Sequence, residues 1–373
     1  ITERKNTLSM LFYLLSLLLY LRFEKNDRRS LYISSLGLFV LGLLSKTSVV
    51  MLPVVLILCA WWQRRRIGLR DLMLSAPFWA ASLVLGLVTL WFQTQRAMAG
   101  EVPVPASLWT RALGASRAVW FYLCKTVVPI KLSMIYPAWE INSARLLSYL
   151  PLLALLGSLA LAWRFRRSWG CAVLFGGGYV LATLFPVLGF FPMAFAQESA
   201  VADHWQYLAI GGTLGLLTGL VAHGIRDYRV LRIPLAGVIF FTWATILLGL
   251  TLSRAAAYRD PVSFWNNTLA SYPKSWLAHN NLGYVLANLG KMDDAGEHFA
   301  EALRIRPGNA EAYFNLGLAL AAQGKMDDAI AQYNEALRLW PRYASGHYSL
   351  GVALAAKERY DQAVSHFKEA LSL

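Results

Sequence analysis

The sequence predicts an all-α chain in two parts, a polytopic transmembrane helical body followed by an α-solenoid of two-helix repeats. Three observations predict it. Hydrophobic segments are stacked along the chain as far as about Arg254, a motif returns every 34 residues beyond that point, and 57% of the 373 residues are hydrophobic. With 14 Trp and a mean hydropathy of +0.44, the chain is too apolar for a soluble globular protein and belongs in a bilayer.

Span candidates come first in chain order. Apolar runs at about 7–21, 31–44, 48–62, 72–92, 146–163, 169–190, 205–225 and 233–252 are separated by polar or basic stretches. A full crossing needs roughly 20 residues, so the second and third runs are short. Basic clusters follow alternate spans: Arg22-Lys25-Arg28-Arg29, Arg64-Arg65-Arg66-Arg70, Arg164-Arg166-Arg167 and Arg226-Arg229-Arg232. The positive-inside rule places these clusters in the cytoplasm. Residues 1–6, Ser45-Lys46-Thr47, the segment 93–145, the loop 191–204 and everything after 253 then face outward, which makes the repeats periplasmic or lumenal. This topology requires residues 114–130, with Arg117 and Lys125, to form an interfacial or re-entrant helix; a crossing there inverts every later assignment.

The charge follows the same division. Residues 275–373 hold 9 Lys and Arg against 11 Asp and Glu, so the net charge of +14 comes from the membrane part. Short basic clusters between apolar runs are a topology signal and do not suit a nucleic-acid groove. Cys59, Cys124 and Cys171 all lie in hydrophobic runs without metal-ligand spacing and read as buried apolar fillers.

The second part is legible from its register. Pro273, Pro307 and Pro341 step by 34, as do Leu282-Gly283, Leu316-Gly317 and Leu350-Gly351. Ala295, Ala329 and Ala363, then Phe299, Tyr333 and Phe367, then Ala302, Ala336 and Ala370 keep the same step. This small/large alternation is how two antiparallel helices interlock in a tetratricopeptide repeat. The expected organisation is a membrane domain over 1–253, a linker with a degenerate repeat helix over 254–274 that places Trp265 at the aromatic position, and about three repeats over 275–373. The chain opens on Ile1 without a signal-peptide layout and closes without a polar capping helix, so we expect it to be an internal piece of a longer protein.

Candidate chemistry collects on the predicted outer side. Glu3, Arg4, Lys5 and Asn6, then Lys46, then Lys131, Tyr136 and Glu140, then Asp203, His204 and Tyr207 fall near the predicted membrane edge. Cationic side chains beside apolar walls suit a lipid-linked phosphate, whose tail stays in the bilayer. Lys46 stands out because a Lys between two apolar segments is costly unless it snorkels or binds something. His204 beside Asp203 is either a proton carrier and phosphate partner or a structural pair at a helix start. His279 and His347 share one repeat register, His298 and His366 another, and all four read as packing or surface positions. There is no phosphate loop, no metal-spaced cluster and no serine-hydrolase elbow. Gly176-Gly177-Gly178 falls in mid-span, where close helix approach explains it.

The order of the short motifs resembles a family. Ile1-Thr2-Glu3-Arg4-Lys5-Asn6 before a span, Ser45-Lys46 followed by Pro53, Leu132 through Tyr136-Pro137-Ala138-Trp139, Ala202-Asp203-His204-Trp205-Gln206-Tyr207, then a last span and repeats are similar to the transmembrane and tetratricopeptide-repeat-containing O-mannosyltransferases and their bacterial relatives in the glycosyltransferase C superfamily. The resemblance implies a polytopic enzyme that moves a sugar, commonly mannose, from a polyprenyl-phosphate carrier to protein Ser/Thr hydroxyls on the outer face. It implies Arg4, Lys46, Asp203 and His204 as lipid-phosphate or donor-binding residues, although many relatives carry Arg where this chain has His204. The acidic catalytic loop of such enzymes, and any divalent metal it holds, is expected before Ile1, so no catalytic residue and no metal ligand is assigned.

The repeats supply a place for the acceptor peptide. Asn281, Asn315 and Ser349 share one register on the first helix of each unit, the helix that lines the concave face. Side-chain amides there can hydrogen-bond a peptide backbone, with Tyr284, Phe314 and Tyr348 adding apolar contact. Repeat consensus alone also explains Asn-Leu-Gly. The expected partners are a polyprenyl-phosphate-linked sugar, a protein or peptide acceptor and membrane lipid, and no nucleic acid. The alternative is a non-enzymatic membrane scaffold whose repeats recruit proteins for envelope, pilus or secretion assembly; a lipid-linked sugar flippase or polymerase is a third reading. In each case the chain is an integral membrane protein, of the inner membrane in a bacterial cell.

Overall fold

The computed structural model describes residues 2–93, 107–130, 132, 133, 135, 136, 139, 141–191, 199–225 and 235–373, apart from the side chains of 2–4, 204, 220–225, 235–240, 254, 256 and 257. Helices are the only regular elements among the described residues. They divide into two compact units, Ile1–Leu247 and Leu248–Leu373.

The first unit holds α1 (Thr2–Asn26), α2 (Arg29–Ser45), α3 (Leu52–Arg64), α4 (Leu69–Phe92), α5 (Leu108–Val127), α6 (Leu150–Arg164), α7 (Gly170–Leu184) and α8 (Tyr207–Ile225), while α9 (Leu235–Ala257) carries the chain across the division. Five segments are long and apolar enough to cross a membrane: Lys5–Asn26, Thr47–Arg64, Leu69–Phe92, Leu146–Arg164 and Gly170–Val187. α2 and the described apolar parts of α8 and α9 are shorter. The predicted interfacial stretch 114–130 is the C-terminal part of α5, which starts at Leu108 behind a Ser107 cap and is not among those five.

Small polar residues and aromatics hold α1 to α2. Ser16 Oγ donates to the carbonyl of Ser35 at 2.7 Å, and Ser35 Oγ donates to the carbonyl of Ser16 at 2.7 Å. Such reciprocal bonds add specificity where lipid leaves no hydrophobic drive between helices. Tyr13 and Tyr20 of α1, Phe39 of α2, Leu52 and Leu56 of α3 and Phe78 of α4 form the buried core of this unit. Tyr20 meets Phe78 edge-on at 5.8 Å. The basic clusters here are locally balanced, since Arg64 pairs with Glu24 at 3.1 Å and with Asp71, and Arg70 pairs with Asp27 at 3.1 Å. These pairs bring the end of α1, the end of α3 and the start of α4 together. The Arg226-Arg229-Arg232 cluster lies outside the described residues.

Glycine decides how α7 packs. A Cβ on Gly176 would lie 2.3 Å from Leu216 of α8, and one on Gly178 would lie 3.3 Å from Leu58 of α3. Gly177 between them faces open space, so two of the three glycines serve the close approach expected of the run. Leu83, Leu87 and Trp91 of α4 and Leu150, Leu153 and Leu156 of α6 stay exposed, leaving an apolar surface on two of the segments that are apolar enough to cross a membrane. Cys59 and Cys171 are buried, but Cys124 is exposed. That corrects the reading of Cys124 as a filler: α5 buries the face of Leu113, Ala115, Val119 and Tyr122, and Cys124 falls outside it.

In the second unit α10 (Pro261–Ser271) precedes three helix pairs, α11 (Trp276–Asn288) with α12 (Met292–Ile305), α13 (Ala310–Ala322) with α14 (Met326–Leu339), and α15 (Ala344–Ala356) with α16 (Tyr360–Ser372). The Asp260 side chain caps α10, accepting from the Ser263 N–H at 2.8 Å. Val262, Trp265 and Leu269 of α10 then pack on the cluster of Leu282, Leu286, Ala295 and Phe299, the arrangement expected of a degenerate repeat helix. Within each pair a glycine lets a ring lie flat on the partner helix. Cβ atoms on Gly283, Gly317 and Gly351 would lie 2.8, 2.5 and 2.6 Å from the rings of Phe299, Tyr333 and Phe367. The turns between paired helices need a left-handed residue, supplied by Gly290 (φ 77°) and Gly324 (φ 78°) and, in the third pair, by Glu358 (φ 59°).

Candidate functional site

Two regions carry side chains that could act on another molecule, one in each unit. In the membrane unit, Lys46 closes the C-terminus of α2 and leads into the turn Thr47–Val49. Its ammonium donates to the Asn6 side-chain carbonyl of α1, and Asn6 itself is 7% exposed. Both line a cavity of about 460 Å³ that Trp79 and Gln93 of α4 and Trp205 and Tyr207 near α8 also border. Among the described lining residues Lys46 is the one charged side chain. An ammonium beside so many apolar side chains is costly unless polar partners such as the Asn6 amide oxygen, an anion or an aqueous path serve it.

Asp203 sits elsewhere in the same unit. It opens a 3-10 turn, Asp203–Gln206, and its carboxylate accepts from the Tyr136 hydroxyl at 2.7 Å. That hydroxyl also accepts from the Ser133 N–H at 3.0 Å, and the Tyr136 N–H donates to Ser199 Oγ at 2.8 Å. The Ala202 N–H donates to the Tyr122 hydroxyl at 3.0 Å. Two tyrosines therefore tie the Ala202-Asp203 segment to α5 and to the Tyr136 segment. Lys125 of α5 lies over this patch, 5.6 Å from the Tyr136 ring and 5.5 Å from the Phe121 ring, and Arg117 stacks over Trp139 at 4.6 Å.

Of the residues the sequence singled out in this unit, Asn6 and Lys46 are brought together, and so are Tyr136 and Asp203. Asp203 does not line the Lys46 cavity; its neighbours Trp205 and Tyr207 do. The side chains of Glu3, Arg4 and His204, and all of Lys131, Pro137, Ala138 and Glu140, lie outside the described residues. Sequence reasoning passed over Arg117 and Lys125 as mere topology markers. The signal that could have found them is the amphipathic spacing of α5, which sets its cations beside aromatic residues.

In the repeat unit the register delivers an apolar stripe more than a row of amides. The Asn281 amide turns back and donates to the Leu277 carbonyl at 2.8 Å. Asn315, one repeat on, is 7% exposed and donates to the Asn280 side chain at 3.2 Å. Ser349 is half-buried. Phe314 packs inward against Tyr333 and Tyr343, while Tyr284 and Tyr348 are 56% and 60% exposed. At the register of Tyr284 the next repeats place Leu318 and Val352, also exposed, giving one apolar residue per repeat along α11, α13 and α15. The sequence reading did not select Leu318 or Val352, although the step of 34 from Tyr284 points to them.

The repeats also hold two histidine pairs. His279 Nδ1 lies 3.0 Å from His298 Nδ1, and His347 Nδ1 lies 3.0 Å from His366 Nδ1. Burial, then the facing histidine, holds the His298 and His366 pKa values below the ordinary imidazole value. Among the described residues no group of three or more His, Cys, Asp or Glu is placed to hold a metal ion.

Comparison with known proteins assigns the second unit. Residues 276–342 match one family model of the tetratricopeptide repeat and residues 314–373 match another. This stretch is therefore a tetratricopeptide-repeat array, the class of module that binds peptide or protein partners on its concave surface. No curated protein matches the chain. Among solved structures, a crystal structure of MamA is 26% identical, covering 30% of this chain and 65% of that one with a TM-score of 0.29. MamA 41-end from Desulfovibrio magneticus RS-1 is 24% identical, covering 34% and 72% with a TM-score of 0.30. The second tetratricopeptide domain of Spaghetti (RPAP3), solved with the HSP90 peptide SRMEEVD, is 20% identical, covering 26% and 91% with a TM-score of 0.26. The chain thus spans a little under two thirds of the first MamA structure.

Proposed function

We propose that this protein recognises a partner polypeptide through the exposed stripe of its repeats while its first unit holds it in a lipid bilayer. The stripe of Tyr284, Leu318 and Val352 carries the reading, because one exposed apolar side chain per repeat on a shared register is a surface for successive side chains of a bound segment. The Asn281, Asn315 and Ser349 register beside it can then bond the segment's backbone after the two amides exchange their present partners. The five apolar segments of the first unit supply the anchor. A photo-reactive residue at position 284 in native membranes should yield a defined protein adduct that Leu318→Asp abolishes. Adducts that persist unchanged in Leu318→Asp would refute the stripe as the binding surface.

A second reading, lipid-linked sugar transfer to protein Ser/Thr hydroxyls, is favoured by the Lys46 cavity. A cavity of about 460 Å³, mostly apolar and with Lys46 as the one charged side chain among its described lining residues, suits a phosphate that carries a polyprenyl tail. In this reading Lys46 and Asn6 hold the head group, Arg4 and His204 are further donor-site candidates, Asp203 shapes the pocket from outside the cavity through its bond to Tyr136, and the repeats hold the acceptor. Lys46→Ala should abolish protein glycosylation by the full-length protein, and Lys46→Arg should retain part of it. Identical glycan profiles in a wild-type strain and its deletion mutant would leave the scaffold reading, in which Lys46 and Asp203 tolerate alanine.

A further inference from the structure

We propose that the His279/His298 pair and the His347/His366 pair are two equivalent sites for a divalent transition-metal ion of the class that prefers imidazole nitrogen, such as Zn2+, Ni2+ or Cu2+. The pairs are built alike. His279 Nε2–H donates to the Pro273 carbonyl at 3.1 Å and His347 Nε2–H to the Pro341 carbonyl at 2.9 Å. With that N–H fixed on Nε2, Nδ1 of a neutral His279 or His347 carries a lone pair, aimed at the facing histidine. Metal-bound histidines are oriented in the same way, by donating their second N–H to a carbonyl or carboxylate.

The spacing also suits chelation. Two nitrogens bound to one ion at about 2.1 Å stand about 3.0 Å apart at a right angle and about 3.4 Å apart at a tetrahedral angle. The observed 3.0 Å separations meet the first value and need to open by a few tenths of an ångström for the second. Ring centroids lie 5.2 and 5.3 Å apart in the two pairs, so the second site repeats the first closely. On binding, His298 and His366 must move their N–H from Nδ1 to Nε2, which frees both Nδ1 lone pairs without any net release of protons from a neutral pair. Water completes the coordination shell. Glu369, three residues beyond His366, interacts electrostatically with its pair and adds negative potential for a cation, while the matching Glu301 beyond His298 shares its charge with Arg304 through hydrogen bonds of 2.7 and 2.6 Å.

The middle repeat provides its own control, because the same register carries Tyr313 and Gln332. A glutamine is thus compatible with the fold at the position of His298 and His366. Equilibrium dialysis of untagged, chelator-treated protein in detergent against Zn2+ alone should give two more ions per chain than the His298→Gln/His366→Gln variant binds. His298→Gln and His366→Gln should each remove one ion, and the double variant both, with helical content unchanged. Tyr313→His with Gln332→His should add a third site. Bound Cu2+ should show two equivalent nitrogen couplings in its paramagnetic resonance spectrum. Zn2+ stoichiometry that the double glutamine variant leaves unchanged, or no binding above its background, would overturn the proposal and leave the pairs as proton-sharing packing contacts.

Discussion

Gly317→Ala tests the interlocking of the repeats most directly. A Cβ at this position would lie 2.5, 2.7 and 3.1 Å from three atoms of the Tyr333 ring, where ordinary contact is about 3.5–4.0 Å. The ring would have to retreat by about 1 Å, yet Tyr333 is 2% exposed and packed against Ala329, Leu337 and Leu350. Overpacking of this kind costs about 1–3 kcal/mol, and alanine's higher helix propensity returns about 1 kcal/mol, so the net loss should be about 1 kcal/mol. In a unit of this size that lowers Tm by roughly 4–8 °C. Gly296→Ala is the control: its Cβ would meet only the Gln323 amide nitrogen at 3.6 Å, so the propensity gain stands alone and the sign reverses. Thermal unfolding of the detergent-solubilised chain, with amide exchange in α12 reporting Gly296→Ala and in α13 and α14 reporting Gly317→Ala, gives both values. A Gly317→Ala variant as stable as wild type, or moving in the same direction as Gly296→Ala, would refute the packing argument.

Three further outcomes follow from the same coordinates. His298 and His366 have folded-state pKa values below the unfolded value of about 6.5, so the unfolded chain binds more protons. Their contribution is complete above that pH and lost as the pH falls through the lower folded values, despite the acidic neighbours Asp294, Glu297 and Glu369 that oppose the shift. The protection of amides in α12 and α16, corrected for the intrinsic exchange rate at each pH, should therefore fall between pH 7 and pH 5, and much less so in a His298→Gln/His366→Gln variant; an equal fall in both would rule the pairs out as the cause. Glu358→Gly should stabilise the third repeat by about 0.5–1 kcal/mol, because Glu358 adopts the left-handed conformation that glycine provides in the first two turns; an unchanged unfolding midpoint for α15 and α16 would contradict it. Tyr136→Phe removes the donor to Asp203 and the acceptor of the Ser133 N–H, which should loosen the turn at Asp203–Gln206 by about 1–3 kcal/mol, read as increased protease sensitivity there; unaltered cleavage would show that the other bonds suffice.

The repeat array was almost wholly legible. Periodicity at 34 residues named its helices and its small/large contacts, because each unit is a local structure that touches only its neighbours. The site on that array was less legible. Asn281 and Asn315 occupy one register, yet one amide bonds its own helix and the other bonds Asn280. Tyr284, Phe314 and Tyr348 looked equivalent by type, but Phe314 turned inward against Tyr343. Neither difference is written in the residue at the position itself; each depends on which neighbour lies within reach.

In the first unit the sequence marked the apolar segments and placed Lys46 between two of them, since composition and charge along the chain fix transfer into lipid. Only the tertiary structure decided that Lys46 shares a cavity with Asn6, that Asp203 bonds Tyr136 outside that cavity, and that Gly176 and Gly178 serve two different helices while Gly177 serves neither. Apolar helices in lipid carry little one-dimensional signal about their partners, because lipid tails are as apolar as leucine and neighbours are chosen by shape and by a few polar bonds. The histidine pairs make the same division: the sequence put them in matching registers, and the packing of two antiparallel helices set their nitrogens 3.0 Å apart.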